Sequence, residues 1–496
     1  MKHTIRLPRI LLLPIIVMVI TAACSDKSTD TGDEPDDEES YTLVVEKASG
    51  LWGYPETSEF TYAWVETIEY CYALKDGYSD LAVILDGASV PDSGSFLMDM
   101  DHTLVASCAR RIIWRVDVAD NVYYCCPAVG DDGTIYISTG AYSITEYGTV
   151  YGISPLGTIL WSYELAANAY SPVIGTNGSI FVQDYENTLY AFSPSGDLLW
   201  TFDDFDYPMH PIYPVGQRVP AIAADGTVYA VADGLYAINP ATGERLWRFN
   251  PLYGKSCRQP PVIGADGTIY VTIHQHDFYA VNPDGREKWH AQFDHDYEMS
   301  FTSPAIDSDG TIYLGVEGTE SRVWAFNPDG TVKWKTVVTE PYCRVRGSPT
   351  VAPDGTIYIS TKACLEARGK VIALSPSGTK LWEYVVMPEH GTAALDDVYS
   401  TPTVGADGLI YFGAETERFY ALNPDGTLNW KTRLAGINWS SAAILPDGTL
   451  YIGTHSGNPG MHGALWALET TSMGYAASPW PCYRHDNKNT GRFGGP

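Results

Sequence analysis

Residues 303–334 read SPAIDSDGTIYLGVEGTESRVWAFNPDGTVKW. A short apolar strand at Ser303-Pro304-Ala305-Ile306 runs into Asp309-Gly310, and an alternating strand, Thr311-Ile312-Tyr313-Leu314, leaves it. An Asp-Gly step between two such strands is a strong local hairpin signal, because Gly accepts positive φ without steric cost. A second hairpin follows. Val323 to Phe326 forms its first strand, Pro328-Asp329-Gly330 turns the chain, and Trp334 lies on the fourth strand.

The unit repeats. Asp132, Asn177, Asp225, Asp266, Asp309, Asp354, Asp407 and Asp447 each precede Gly, giving eight copies at a mean spacing of 45 residues. Periods of this length belong to solenoids and propellers, and period-2 strands exclude helical repeats. Trp161, Trp200, Trp247, Trp289, Trp334, Trp382 and Trp430 each stand four residues after a turn glycine. Four short strands with a large aromatic on the outermost one predict a β-propeller whose blades dock through tryptophan.

Trp114 precedes the first complete unit, whereas the last Asp-Gly unit, ending in Leu465-Trp466-Ala467-Leu468, lacks a Trp-bearing fourth strand. Joining the two gives eight blades, with the Trp114 strand closing the last. A seven-bladed ring is the alternative, and a competing assignment gives the missing strand to Trp480. The units resemble those of pyrroloquinoline-quinone-type (PQQ-type) propellers, whose docking motif is Ala-x-Asp-x-x-Thr-Gly-x-x-x-Trp. Ala237-Ile238-Asn239-Pro240-Ala241-Thr242-Gly243-Glu244-Arg245-Leu246-Trp247 is the nearest copy, and the resemblance covers about residues 110–470. The tail, 471–496, carries Trp480-Pro481-Cys482-Tyr483-Arg484-His485-Asp486 and Thr490-Gly491. It is similar to a segment that accompanies many such propellers and is expected to pack on the ring.

Ahead of the ring, residues 1–23 read as a secretion signal: Lys2, Arg6 and Arg9, then an apolar run from Ile10 to Ile20 that is too short to span a bilayer. Ala22-Ala23-Cys24 resembles a bacterial lipobox, which implies lipidation of Cys24; ordinary secretion without lipid is the competing expectation. Residues 24–40 carry eight carboxylates against Lys27 and form an unfolded acidic spacer. Residues 41–109 contain alternating strands between Gly, Pro and Asp turns, and predict a small immunoglobulin-like β-sandwich resembling the repeat domains of bacterial surface proteins.

The formal charge of −29 argues against nucleic acid and against anionic lipid heads as partners. An exported chain permits disulfides, and Cys71 and Cys108, both on predicted strands, are the first pair to expect. The partners of Cys257, Cys343, Cys364 and Cys482 are left open.

Few residues point to chemistry. Cys125-Cys126 precedes Pro127 where other units have Ser-Pro. In PQQ-dependent dehydrogenases, adjacent cysteines form a disulfide lining the cofactor pocket, so the resemblance implies PQQ and calcium binding there; the competing reading is a structural cysteine pair. His274-Gln275-His276, with Asp277, His290, His295 and Asp296, is a candidate metal cluster or polar surface. Arg258, Arg344 and Arg346 precede inner strands and either face the channel or pair with carboxylates. No Gly-x-Ser-x-Gly, Walker loop or His-Glu-x-x-His is present.

Three functions follow as expectations. The first is a non-catalytic, monomeric, lipid-anchored envelope protein that binds other proteins or polysaccharide and needs no cofactor, as the resemblance to outer-membrane assembly propeller lipoproteins implies. The second is a PQQ- and calcium-dependent oxidoreductase acting on alcohols or sugars. The third is a carbohydrate-binding surface protein using Tyr207, Tyr213 and Trp439.

Overall fold

The Asp-Gly step builds the same turn in all eight units. A side-chain oxygen of Asp132, Asn177, Asp225, Asp266, Asp309, Asp354, Asp407 or Asp447 accepts the backbone N–H two residues on, at 2.9–3.1 Å. Gly310, between donor and acceptor in its unit, has φ +80°. The turn is thus held by a local side-chain-to-backbone hydrogen bond that needs no tertiary partner.

The computed structural model describes residues 41–494 except 63–66, 76–77, 99, 123–124, 141–146, 206–217, 252–256, 258, 274–275, 294–298, 301, 340–342, 363–367, 388–396 and 456–461. The leader, Cys24 and the acidic spacer lie outside the described residues, as do Tyr207, Tyr213, Arg258, His274, Gln275, His295, Asp296 and Cys364.

Every regular element described is a strand, and the repeat region is a β-propeller. It comprises eight antiparallel sheets, six of four strands and two carrying an extra two-residue strand, numbered here as blades 1 to 8 from Asp132 to Asp447. The strand Ile112–Asp117 pairs with Ala464–Glu469 and completes blade 8, with Trp114 opposite Ala467. The first and last strands of the ring are therefore hydrogen-bonded into one sheet. Val118, Val122 and Ile135 from the start of the ring share a core with Ala443, Tyr451 and Leu465 from its end. Trp480 is not the closing residue.

Burial within a blade departs from simple alternation. The second strand of blade 5, Ile312–Glu317, is buried at every position, whereas its outer strand, Val332–Val337, alternates between exposed and half-buried. Middle strands are covered on both faces by neighbouring blades, so both sides must be apolar or paired. The outer strands face solvent and keep period 2.

Seven of the eight tryptophans dock as the sequence predicts. The indole N–H of Trp114, Trp161, Trp200, Trp247, Trp289, Trp334 and Trp382 donates to the proline carbonyl of the next blade's second turn at 2.9–3.0 Å. The ring lies against the glycine of that turn, so closely that a Cβ on Gly378 would stand 2.7 Å from Trp334. Trp430 is the exception, because blade 8 has no such turn. Its buried indole nitrogen finds no hydrogen-bond partner, and the Arg111 guanidinium lies 4.6 Å above the ring.

Arg111 is also the domain junction. It is the single residue between His102–Arg110 of the small domain and Ile112–Asp117 of the ring. Its side chain donates to Ser79 Oγ at 2.6 Å and Asp80 Oδ2 at 2.5 Å, and Thr432 Oγ1 donates to the Tyr78 carbonyl at 3.2 Å. The small domain is a sandwich of two sheets, with Tyr41–Lys47 parallel to His102–Arg110 in the larger one. Leu43, Val45, Tyr70, Tyr72, Val83 and Leu104 fill the space between them.

The expected Cys71–Cys108 disulfide is absent: both thiols are free. Cys71 is on the smaller sheet, exposed between the inward-facing Tyr70 and Tyr72, while Cys108 on the larger sheet packs toward the core. Side chains leaving opposite faces of different sheets cannot meet without backbone rearrangement. Cys343 is disulfide-bonded, to a partner outside the described residues.

Candidate functional site

Antiparallel order gives the disc two different faces. Both hairpin turns of a blade lie at one end, and the loops between middle strands and between blades lie at the other. The inner strands line a channel joining the two.

The turn face is closed by the tail. Inner-strand N–H groups of Val129, Ile174, Ile222, Ile263, Val351 and Val404 donate to the carbonyls of Asn487, Lys488, Thr490, Gly491, Trp480 and Pro481 at 2.7–2.9 Å. Blades 1, 2, 3, 4, 6 and 7 are thus tied to one short segment. At its centre Arg484, fully buried, donates to the carbonyls of Pro220 at 2.7 Å and Pro261 at 2.6 Å and lies 3.4 Å from Ser303 Oγ. Burial lowers its pKa to about 10, which leaves it charged at neutral pH.

Cys126 belongs to a ring of hydrogen bonds around this channel. Its N–H donates to Ser171 Oγ; the same link runs from Ser303 to Ser348, from Ser348 to Thr401 and from Thr401 to Ser441, each at 2.9–3.0 Å. Blades 3 and 4 place Val219 and Pro260 at this register, and it is there that Arg484 reaches the backbone. Cys125 accepts from the Ser138 N–H at 3.2 Å. Both thiols are free, and burial pushes Cys125 up to about 11 and Cys126 up to about 12. The PQQ expectation needs the two sulfurs joined and facing a cofactor. Free, fully buried thiols with separate protein partners do not fit that group.

The loop face carries a polar mouth that sequence reasoning found only in part. Arg344 and Arg346 point to Glu317, at the end of the second strand of blade 5, at 3.9 and 3.4 Å. Glu317 is almost wholly buried, which raises its pKa to about 7 against the opposing pull of Arg346, Arg344 and Lys362. Lys362 of blade 6 lies 3.4 Å from the buried Asp397 and donates to Tyr399 Oη at 2.9 Å. Trp439 packs against Tyr399, tilted at 4.5 Å between ring centres, meets His455 edge-on at 4.7 Å, and donates to Glu415 Oε1 at 2.8 Å. Six residues missed in the sequence therefore surround three that were singled out. Each missed residue occurs once, at a strand end or in a loop between repeats, where no periodicity marks it.

Of the proposed metal cluster, His276, Asp277 and His290 are among the described residues. Asp277 accepts from Gln292 Nε2 at 2.7 Å, and His290 pairs with Glu287 at 2.9 Å and stacks on Tyr279. Among the described residues no three His, Cys, Asp or Glu side chains converge as metal ligands would.

Comparison with known proteins places the propeller. The family model described as outer membrane protein assembly factor BamB matches twice, over residues 102–248 and 232–472. Among solved structures, BamB from Moraxella catarrhalis superposes with a TM-score of 0.53 at 14% identity, covering 73% of this chain and 97% of that one. The Dos1 propeller gives 0.52 at 11%, covering 72% and 95%, and the C-terminal WD40 domain of Sif2 gives 0.51 at 12%, covering 72% and 97%. At such identities the structures speak for the fold alone. No curated protein sequence matches. The two family matches together run from residue 102 to residue 472, three quarters of the chain, and the protein belongs to the outer membrane protein assembly factor BamB family.

Proposed function

We propose that this protein is a non-catalytic scaffold of the bacterial cell envelope, anchored through a lipidated Cys24, that holds another envelope protein on its loop face. The observation that carries the reading is the asymmetry of the disc. The tail occupies the turn face, while the loop face presents Trp439, Tyr399, Arg344 and Arg346 around one mouth. Trp, Tyr and Arg are the residues in which binding energy concentrates when proteins meet. Family membership supports an assembly role at the outer membrane.

In this reading the acidic residues 24–40 are a solvated tether and the immunoglobulin-like sandwich is a spacer. Its docking through Arg111 fixes the spacer against the ring, while the tether leaves the pair free to reorient about the anchor. The protein acts as a monomer and needs no cofactor.

The test is affinity capture of the full chain from membranes of its native host, comparing wild type with Trp439→Ala and Arg344→Glu. Loss of one hot-spot side chain typically costs about 2 kcal/mol or more, roughly 30-fold in affinity. A co-purifying envelope protein should therefore be depleted in both variants. Capture unchanged by either substitution would remove the loop face from the account. Saturable calcium-dependent binding of PQQ would contradict the non-catalytic reading.

A further inference from the structure

The rim of the ring has one irregular junction, between blades 7 and 8, and the small domain sits in it. In each of blades 1 to 7 the second turn is closed by one backbone bond, as from the Asn327 N–H to the Thr331 carbonyl in blade 5, at 2.8 Å. The two strands of blade 8 that this turn would join come from opposite ends of the ring. The bond survives there without a turn, since the Glu469 N–H donates to the Arg111 carbonyl at 2.7 Å. Arg111 therefore holds the position that Thr331 holds in blade 5. What blade 8 lacks is the proline and glycine on which the preceding tryptophan docks.

A tryptophan without that seat would lie open at the rim. Trp430 is instead buried, at 3% exposure, while the other seven docking tryptophans remain half-buried. Thr432, two residues on in the same outer strand, is buried as well, and its hydroxyl donates to the Tyr78 carbonyl at 3.2 Å. The cover is the start of the sandwich strand Tyr78–Leu85.

The sandwich's own register delivers it. Tyr78 and Ser79 pair with Arg110 and Ala109, and a bulge between Ser79 and Ala82 leaves Asp80 at φ +57°. A bulge re-aims the side chains beside it. Ser79 Oγ accepts from Arg111 Nε at 2.6 Å, and Asp80 Oδ2 accepts from Arg111 Nη2 at 2.5 Å. Two acceptors on one planar guanidinium fix its orientation, and that plane lies 4.6 Å above the Trp430 ring. Without them, holding so flexible a side chain over the indole would cost its rotamer freedom.

We infer that the small domain is a clasp of the propeller: with Arg111 it fills the seat of the turn that blade 8 lacks, and holds the ring shut where its first and last strands meet. The role goes beyond that of a spacer and does not depend on what the loop face binds. Hydrogen exchange of the full chain tests it, comparing the seam strands Ile112–Asp117 and Ala464–Glu469 with Arg322–Phe326 and Val332–Val337 of blade 5. In Arg111→Ala the seam amides should exchange at least about 10-fold faster, with blade 5 unchanged. Asp80→Gly removes the carboxylate at a position where glycine suits the positive φ, so the sandwich keeps its fold and the seam exchanges about 3-fold faster. A seam as protected as wild type in Arg111→Ala overturns the inference, as does an acceleration shared equally by blade 5.

Discussion

Replacing Arg484 by Met should loosen the ring from its centre. The guanidinium donates to two buried carbonyls, Pro220 and Pro261, in the two blades that lack a hydroxyl or thiol at the circumferential register. Each carbonyl left without a donor costs about 1–3 kcal/mol, and Met refills most of the volume, so the loss centres on about 4 kcal/mol. The burial that holds the Arg484 pKa down to about 10 works in the opposite direction, since an apolar side chain escapes the cost of a buried charge. The two carbonyls decide the balance because nothing else is placed to satisfy them. With an unfolding entropy of ~2.1 cal/mol/K per residue, a unit of ~380 residues has ~0.8 kcal/mol/K, so ~4 kcal/mol lowers the midpoint by about 5 °C. Thermal denaturation followed by circular dichroism reads this directly. Hydrogen exchange adds position: the amides of Ile222 and Ile263, which donate to Thr490 and Gly491, should lose protection before those in the sandwich. A midpoint equal to or above wild type would refute the keystone role.

Three further outcomes follow from particular contacts. Gly378→Ala puts a methyl 2.7 Å from both Trp334 and Thr336 Oγ1 at a residue with φ +84°, and should cost about 2–4 kcal/mol by urea denaturation, whereas Gly87→Ala, with open space around it, loses only the backbone component. Glu317 has its pKa raised by burial to about 7, so the folded state holds that proton more tightly than the unfolded state. Its stability contribution is complete below the ordinary carboxyl range and is lost as pH rises through about 7, a span of about 3 kcal/mol. Glu317→Gln should accordingly gain on wild type between about pH 5 and pH 8 in paired thermal melts, and parallel pH profiles would contradict the assignment. Among the described cysteines, exposed Cys71 should react with a thiol reagent in the native protein, while Cys125, Cys126, Cys257 and Cys482 react only after unfolding; rapid native labelling of Cys126 would be inconsistent with its burial.

The ring was legible because its two punctuating devices are local and repeated. An Asp or Asn that captures the amide two residues ahead must stand next to the turn glycine, and a Trp that stacks on the next blade's turn must stand at one distance from its own. Counting favours Trp114 as the closing strand of blade 8, and the strand pairing decides it against Trp480. The mouth of the channel was legible only at Arg344, Arg346 and Trp439, because Glu317, Lys362, Asp397, Tyr399, Glu415 and His455 come from different units and meet only after the ring closes. Arg484 illustrates the same limit. Its neighbours in sequence mark the tail as similar to a known segment, but its partners, Pro220 and Pro261, are more than two hundred residues away. Cys71 and Cys108 failed for a geometric reason: strand assignment gives each a position but does not say which face, or which sheet, it leaves.

In the function proposed above, the propeller binds its partner through the loop face. Photo-crosslinking in the native envelope, with a benzophenone amino acid placed in turn at Arg344, Trp439, Asp131 and Leu160, tests it most directly. Arg344 and Trp439 border the loop-face mouth, Asp131 lies at the tail-covered face and Leu160 on the exposed outer strand of blade 1. One discrete adduct with an envelope protein is expected from Arg344 and Trp439, and none from Asp131 or Leu160. Adducts arising only from Asp131 or Leu160 would contradict it.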